Sequence, residues 1–87
     1  MARWQTHRSD ANAKAIIDAW RTFGASVELI GRPLDALVGF RGRTYLVEIK
    51  TSKGKLRASQ VKFLDLWRGQ SAIVRTVDEA LKLIGAK

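Results

Sequence analysis

Cysteine is absent from the chain, and proline, histidine and methionine each occur once among its 87 residues. Without cysteine neither a disulfide bond nor a thiolate metal site can form, and a reducing cytoplasm is the compartment that we expect. No apolar run approaches the ~20 residues that a membrane-spanning helix needs, and no segment has the pattern of a signal peptide. The sequence therefore predicts a cytoplasmic protein with no membrane partner.

Negative charge is also scarce, because sixteen Lys and Arg stand against eight Asp and Glu and give a formal net charge of +8. A field of that sign attracts polyanions, with nucleic acid first and an anionic membrane surface second. A membrane-binding chain would gather its basic residues on one face of a long amphipathic helix. Here they are spread over several segments, so we favour nucleic acid over a membrane or a merely soluble basic protein.

The chain has no internal repeat, linker or low-complexity tract, and its length suits one domain. Residues 1–8 are polar and basic, so we predict a flexible basic arm there and a folded domain over 9–87. Ser9 is the predicted N-cap of a first helix, which Gly24 ends. Apolar residues at three- and four-residue spacing give this helix one apolar face: Ala13, Ile16, Ile17, Trp20 and Phe23.

Strand-like segments follow at 25–30, 35–40 and 43–50, and a fourth lies at 72–75. Between the third and fourth we predict a helix over 58–68, with Val61, Leu64 and Trp67 facing inward. Thr76 and Glu79 form a capping box that opens a third helix. The order αβββαβα predicts an α/β fold with a mixed four-stranded sheet flanked by helices, in which a helical crossover makes the last strand parallel to its neighbour.

The second and third strands are joined by Arg41 and Gly42, which suit a tight two-residue hairpin turn. In that register Asp35 lies across from Glu48 on the same face of the sheet, and their Cβ atoms are ~5 Å apart. Lys50 projects from the same face because it is two residues beyond Glu48. A four-residue loop would keep this register, whereas a three-residue loop would place the two carboxylates on opposite faces.

Two adjacent carboxylates repel each other unless a cation lies between them or one is protonated. Mg²⁺ or Mn²⁺ takes oxygen ligands, and the ion could polarise a phosphate oxygen and acidify a water while Lys50 stabilises negative charge. The alternative is that Asp35 ends a turn and that Glu48 and Lys50 belong to an ordinary charged face. The apolar neighbours of Glu48 argue against this alternative, since a charge among them is costly without a partner. The trio predicts hydrolysis of phosphodiesters.

The segment Pro33-Leu34-Asp35, the segment Glu48-Ile49-Lys50 and the element order resemble the PD-(D/E)XK nuclease superfamily. Within it the chain is most similar to the small stand-alone VRR-NUC nucleases of bacteriophages, through segments 8–12, 35–42 and 67–74 and through Gln60. The similarity covers roughly residues 8–85. It implies a restriction-endonuclease-like core and a Mg²⁺- or Mn²⁺-dependent DNA endonuclease that selects DNA structure, such as a junction, flap or fork, rather than sequence. The expected setting is a bacterial or phage-infected cell.

The resemblance also implies roles for individual residues. Asp35 and Glu48 would bind the metal with the carbonyl oxygen of Ile49, Lys50 would position or activate the attacking water, and Gln60 would assist near the scissile phosphate. The resemblance also implies an auxiliary residue on the first helix, for which Asp10, Asn12 and Asp18 all remain candidates. The chain departs from the pattern by one inserted residue between Pro33 and Asp35, and by a short loop between Lys50 and Gln60.

A cluster of basic residues follows the third strand, and we predict that it contacts phosphates: Lys53, Lys55, Arg57 and Lys62. A homodimer is expected as well, because cutting two DNA strands requires two active sites, and because a small domain gains buried apolar surface by association. No motif predicts a small-molecule cofactor. The competing functions are a non-catalytic nucleic-acid-binding module and a basic scaffold protein, but neither accounts for two acids placed opposite phosphates.

Overall fold

The computed structural model describes residues 10–86, so the arm predicted at 1–8 and the Ser9 cap lie outside the described residues. Three helices and four strands follow in the predicted order, and the α/β class with a four-stranded mixed sheet flanked by helices is confirmed. The elements are α1 Asp10–Thr22, β1 Ser26–Leu29, β2 Ala36–Phe40, β3 Arg43–Ile49, α2 Ala58–Leu66, β4 Ser71–Val74 and α3 Val77–Leu83.

The strands lie side by side in chain order, with β1, β2 and β3 antiparallel and β4 parallel to β3. The predicted hairpin register is confirmed, since Phe40 pairs with Arg43 across a two-residue turn. Both turn residues have positive φ, 52° at Arg41 and 79° at Gly42, as a turn that matches the twist of its strands requires. The ladder ends at Ala36 and Val47, so β2 begins one residue later than predicted.

The hydrophobic core lies between one face of the sheet and the helices α1 and α3. Trp20 is its largest fully buried side chain, and its indole N–H donates to the carbonyl of Ala80 at 2.8 Å, which joins α1 to α3. Burial of such a ring contributes about 3 kcal/mol or more. Phe23 was wrongly predicted to extend this apolar face: it is 49% exposed, because α1 ends at Thr22.

The prediction for α2 was wrong at two of its three inward positions. Val61 is 45% exposed and Trp67 is 41% exposed, while Leu64 is half-buried. The buried residue of α2 is the polar Gln60, and Val61, about 100° further round the helix, is turned outward. Trp67 lies past the last turn of α2, where its ring stacks on Phe63 with centroids 5.3 Å apart.

The predicted cap of α3 is present with one difference. The Thr76 hydroxyl accepts from the Glu79 N–H at 3.0 Å, but the Glu79 carboxylate accepts from the N–H of Arg75 rather than from that of Thr76. This pairing fixes the exit of β4 relative to α3. Within residues 10–86 no helix has the length and apolar character needed to cross a membrane.

Candidate active site

Strand alternation brings a carboxylate to the face of the sheet opposite the core. Val47 and Ile49 belong to the core cluster, so Glu48 between them points to the other face, where α2 begins. Glu48 is only 3% exposed although it lies near the end of β3. A buried carboxylate demands compensating partners, and the partners it has define the site.

Asp35 lies immediately before β2, one position past the last ladder pair. Its carbonyl accepts from the N–H groups of Ile30 and Gly31, at 2.9 and 3.2 Å. Its side-chain Oδ2 accepts from the N–H of Ile49 at 2.9 Å. The N–H and C=O of one strand residue point to the same side, so the Ile49 carbonyl also faces Asp35. Asp35 is thereby held by main-chain hydrogen bonds beside β3.

The two carboxyl groups influence each other. Burial raises the pKa of Asp35 from 3.8 to about 6, against the lowering effect of the Ile49 N–H. The negative charge of Glu48 adds to the rise, while the positive charge of Lys50 opposes it. Asp35, Glu48 and Lys50 are therefore close enough to act as one electrostatic unit, as the hairpin register predicts.

Glu48 has different surroundings at its two oxygens. Oε2 accepts from Gln60 Nε2 at 2.8 Å and lies 3.3 Å from the ammonium of Lys50. Oε1 is buried and has no hydrogen-bond donor within the part of the chain that the structure describes. A buried charged oxygen without a donor costs a few kcal/mol. A cation placed against Oε1 would remove that penalty.

Gln60 joins the start of α2 to the carboxylate. Its Nε2 donates to Glu48, and its Oε1 accepts from the N–H of Arg57 at 3.0 Å, so the amide is used at both ends. This fixes the orientation of the amide, because the flipped form would set an NH₂ group against an N–H and an oxygen against a carboxylate. Gln60 holds Glu48 while it caps the helix.

Of the two first-helix candidates whose side chains the structure describes, Asn12 is brought to the site and Asp18 is not. Its Nδ2 donates to the carbonyl of Lys50 at 3.0 Å. Asp18 instead pairs with Lys14 on the exposed side of α1, at 2.7 Å. The side chain of Asp10 lies outside the described residues. Asn12 therefore fixes the main chain where β3 ends, directly behind Lys50.

The predicted phosphate-contacting residues are all exposed: Lys53, Lys55, Arg57 and Lys62. Lys53 and Lys55 belong to the loop after β3, which Arg75 holds by donating from Nη1 to the carbonyls of Thr51 at 2.6 Å and Gly54 at 2.7 Å. The sequence analysis missed Arg75. A signal was available, since Arg75 follows β4, and β4 ends beside Lys50 because it runs parallel to β3.

The residues present fit a hard divalent cation. Two neighbouring carboxylates, a carbonyl facing the same point and a buried oxygen without a donor form an all-oxygen set of the kind that Mg²⁺ or Mn²⁺ binds, with water and substrate oxygens completing the coordination. Among residues 10–86 there is no cluster of three or more His, Cys, Asp and Glu that could hold a metal. The protein would thus supply few ligands of its own.

Comparisons of the chain with models of known protein families, with curated proteins and with solved structures find no match. What the site does must therefore be inferred from its own geometry and charge.

Proposed function

We propose that the protein is a metal-dependent DNA endonuclease that hydrolyses phosphodiester bonds at a site formed by Asp35, Glu48 and Lys50. The observation that carries the proposal is the meeting of these three groups at one end of the sheet, with a buried, donor-free oxygen on Glu48. The net charge of +8 supplies the attraction for a polyanionic substrate. The restriction-endonuclease-like core is part of this proposal, as is action in the cytoplasm of a bacterial or phage-infected cell.

Each residue has a distinct part in the proposed reaction. Asp35 and Glu48 would hold the cation together with the Ile49 carbonyl, and Mg²⁺ or Mn²⁺ bound there would supply Lewis-acid polarisation of the phosphate and a more acidic water. Lys50 orients the attacking water or stabilises the added negative charge on phosphorus. In the hydrolysis the water oxygen bonds to phosphorus, one ester P–O bond breaks, and the water proton is transferred to the departing oxygen or to solvent.

Residues around this centre support it. Gln60 holds Glu48 in place through its amide, and we assign it an auxiliary role next to the scissile phosphate. Phosphate contacts are assigned to the exposed basic residues on the neighbouring loop and on α2: Lys53, Lys55, Arg57 and Lys62. Because these residues are dispersed and no helix within residues 10–86 presents them as a recognition surface, binding should depend on DNA structure more than on sequence.

The test is a cleavage assay with purified protein on duplex, flap, fork and four-way-junction DNA. We expect cleavage with Mg²⁺ or Mn²⁺, DNA binding with little turnover in Ca²⁺, and no cleavage in excess EDTA, because the donor set is all oxygen. Full activity in EDTA contradicts the metal site. DNA binding without cleavage of any substrate in any metal would instead identify a non-catalytic binding module.

The proposal includes a homodimer as the working unit. Helix α2 and the residue after it expose apolar side chains, with Val61 at 45%, Leu66 at 71% and Trp67 at 41%. A second copy related by a two-fold axis would cover this surface and set two active sites against two DNA strands. Charge opposes association, because each subunit carries +8, so the dimer should loosen at low salt without DNA.

Light scattering at moderate salt should therefore give the mass of a dimer, and Leu66→Asp should shift it to a monomer, because the new charge would be buried in the interface. Phe23→Asp is the matched control, since Phe23 is an exposed apolar side chain after α1 and outside this surface. A monomer in wild-type protein, both free and bound to DNA, excludes the dimer.

A further inference from the structure

A groove lies between the loop that precedes Asp35 and the start of α2. It has a volume of about 690 Å³ and is lined by Gly31, Arg32 and Pro33 on one side and by Arg57 and Ser59 on the other. Two of the five lining residues are arginines, and no acidic residue among those described lines it. A concave surface with two guanidinium groups and a hydroxyl has the chemistry of a site for a phosphate group.

Both sides of the groove are tied to the candidate active site by short main-chain links. The N–H of Gly31, next to Arg32, donates to the carbonyl of Asp35. The N–H of Arg57 donates to Gln60, whose other end donates to Glu48. Asp35 thus continues one side of the groove and Glu48 is anchored to the other. A strand lying in the groove would therefore pass close to the segments that hold the two carboxylates.

Both arginine side chains are available for a ligand. Arg32 and Arg57 are exposed, and neither guanidinium has an ion pair or hydrogen bond to any residue in the range 10–86. A guanidinium donates to two oxygens of one phosphate, and two of them facing each other neutralise it from both sides. The size of the groove is that of a small-molecule pocket, which suits one or two nucleotides of a single strand better than the width of a duplex.

We infer that Arg32 and Arg57 together hold one backbone phosphate of a nucleic-acid strand, next to the phosphate that Asp35 and Glu48 address. The groove is thus a subsite that fixes the path of the strand past the reacting centre. This inference rests on the proposed function for the nature of the strand, but it concerns binding and requires no turnover. Arg32 is new in this role, because the sequence placed all phosphate contacts after β3.

The test uses binding of a fluorescent single-stranded DNA oligonucleotide to protein carrying Glu48→Gln, in EDTA, over roughly 50 to 200 mM salt. Arg32→Ala and Arg57→Ala are compared with Arg43→Ala, which removes the same charge at the hairpin end of the sheet, far from Asp35. Each groove variant should weaken binding roughly tenfold and lower the salt dependence by about one released counterion, whereas Arg43→Ala should change affinity about twofold or less. Thermal melting should show that all three variants remain folded, since these side chains are exposed.

The double variant separates one shared phosphate from two independent contacts. If both arginines hold the same phosphate, the loss in the double variant is smaller than the product of the two single losses. Groove variants that bind like Arg43→Ala, or single losses that simply multiply, overturn the inference. Because no cleavage is measured, coupled losses in a protein that never cleaves DNA would uphold the subsite while rejecting the nuclease.

Discussion

Glu48→Gln should reduce DNA cleavage roughly a thousandfold or more, because it removes the charge of a proposed metal ligand at the centre of the site. The substitution keeps the shape of the side chain, and the new amide oxygen can still accept from Gln60 Nε2. It also removes a buried negative charge whose second oxygen has no donor. The fold should therefore survive, and a melting curve at pH 7.5 should show no loss of stability.

Glu28→Gln is the matched control for this experiment. It makes the same chemical change on β1, in the same sheet, at an exposed position that pairs with Leu37. Cleavage by the Glu28 variant should equal that of wild type. Binding of Mn²⁺ by titration calorimetry should be lost with Glu48→Gln and kept with Glu28→Gln. Equal cleavage by both purified variants would place the catalytic centre elsewhere.

The hairpin was predictable because two independent features, the turn and the alternation of the strands, agree on one register. Arg41 and Gly42 adopt the positive φ values that a two-residue turn requires, and alternate residues of both strands, Val38 and Val47 among them, belong to the core cluster. A shift by one residue would have turned Val38 and Val47 out of the core. Since side-chain direction alternates strictly, fixing the register also fixed the face on which Asp35, Glu48 and Lys50 lie.

The face of α2 that is buried could not be predicted in the same way. Its apolar residues suggest a core-facing helix, yet Gln60 is the side chain that is buried, because Glu48 requires a donor there. Which side of a helix faces inward is decided by such a tertiary hydrogen bond, and sequence spacing carries no sign of it. The contacts of Arg75 with the loop after β3, and the presence of both Arg32 and Arg57 in the lining of one groove, depend on the same tertiary arrangement.

Asp35→Asn should stabilise the metal-free protein at pH 7.5 while it abolishes cleavage. The amide oxygen can still accept from the Ile49 N–H, so the substitution removes the charge and keeps the hydrogen bond. Burial and the charge of Glu48 raise the pKa of Asp35 to about 6, so the ionised form is disfavoured in the folded protein. A rise of this size corresponds to about 3 kcal/mol. Asp35 is partly exposed, and solvent screening reduces the gain to roughly 1 kcal/mol, or a Tm increase of about 4–8 °C.

The difference in free energy of unfolding between wild type and Asp35→Asn should depend on pH, with a definite sign. Because the pKa of Asp35 is higher in the folded state than in the unfolded state, the folded protein binds the proton more tightly. The destabilisation by the ionised Asp35 carboxylate is fully present above pH 6. It is relieved as the pH falls towards 3.8, the pKa of this group in the unfolded chain. The free energy of unfolding of wild type should thus rise, relative to that of Asp35→Asn, between pH 7.5 and 4. Asp65→Asn, an exposed position on α2, should leave the wild-type curve unchanged.

Magnesium or manganese should reduce the free-energy cost of ionising Asp35 in the folded protein. A cation bound between Asp35 and Glu48 favours the ionised carboxylate, so it should raise the Tm of wild type at pH 7.5 and have little effect on Asp35→Asn. Metal binding below pH 6 should also release a proton, which calorimetry in buffers of different ionisation enthalpy detects. A constant stability difference between the two proteins from pH 4 to 7.5, with or without the cation, would show that Asp35 has no raised pKa. The repulsion between the Asp35 and Glu48 carboxylates, which is proposed to favour metal binding, would then be absent.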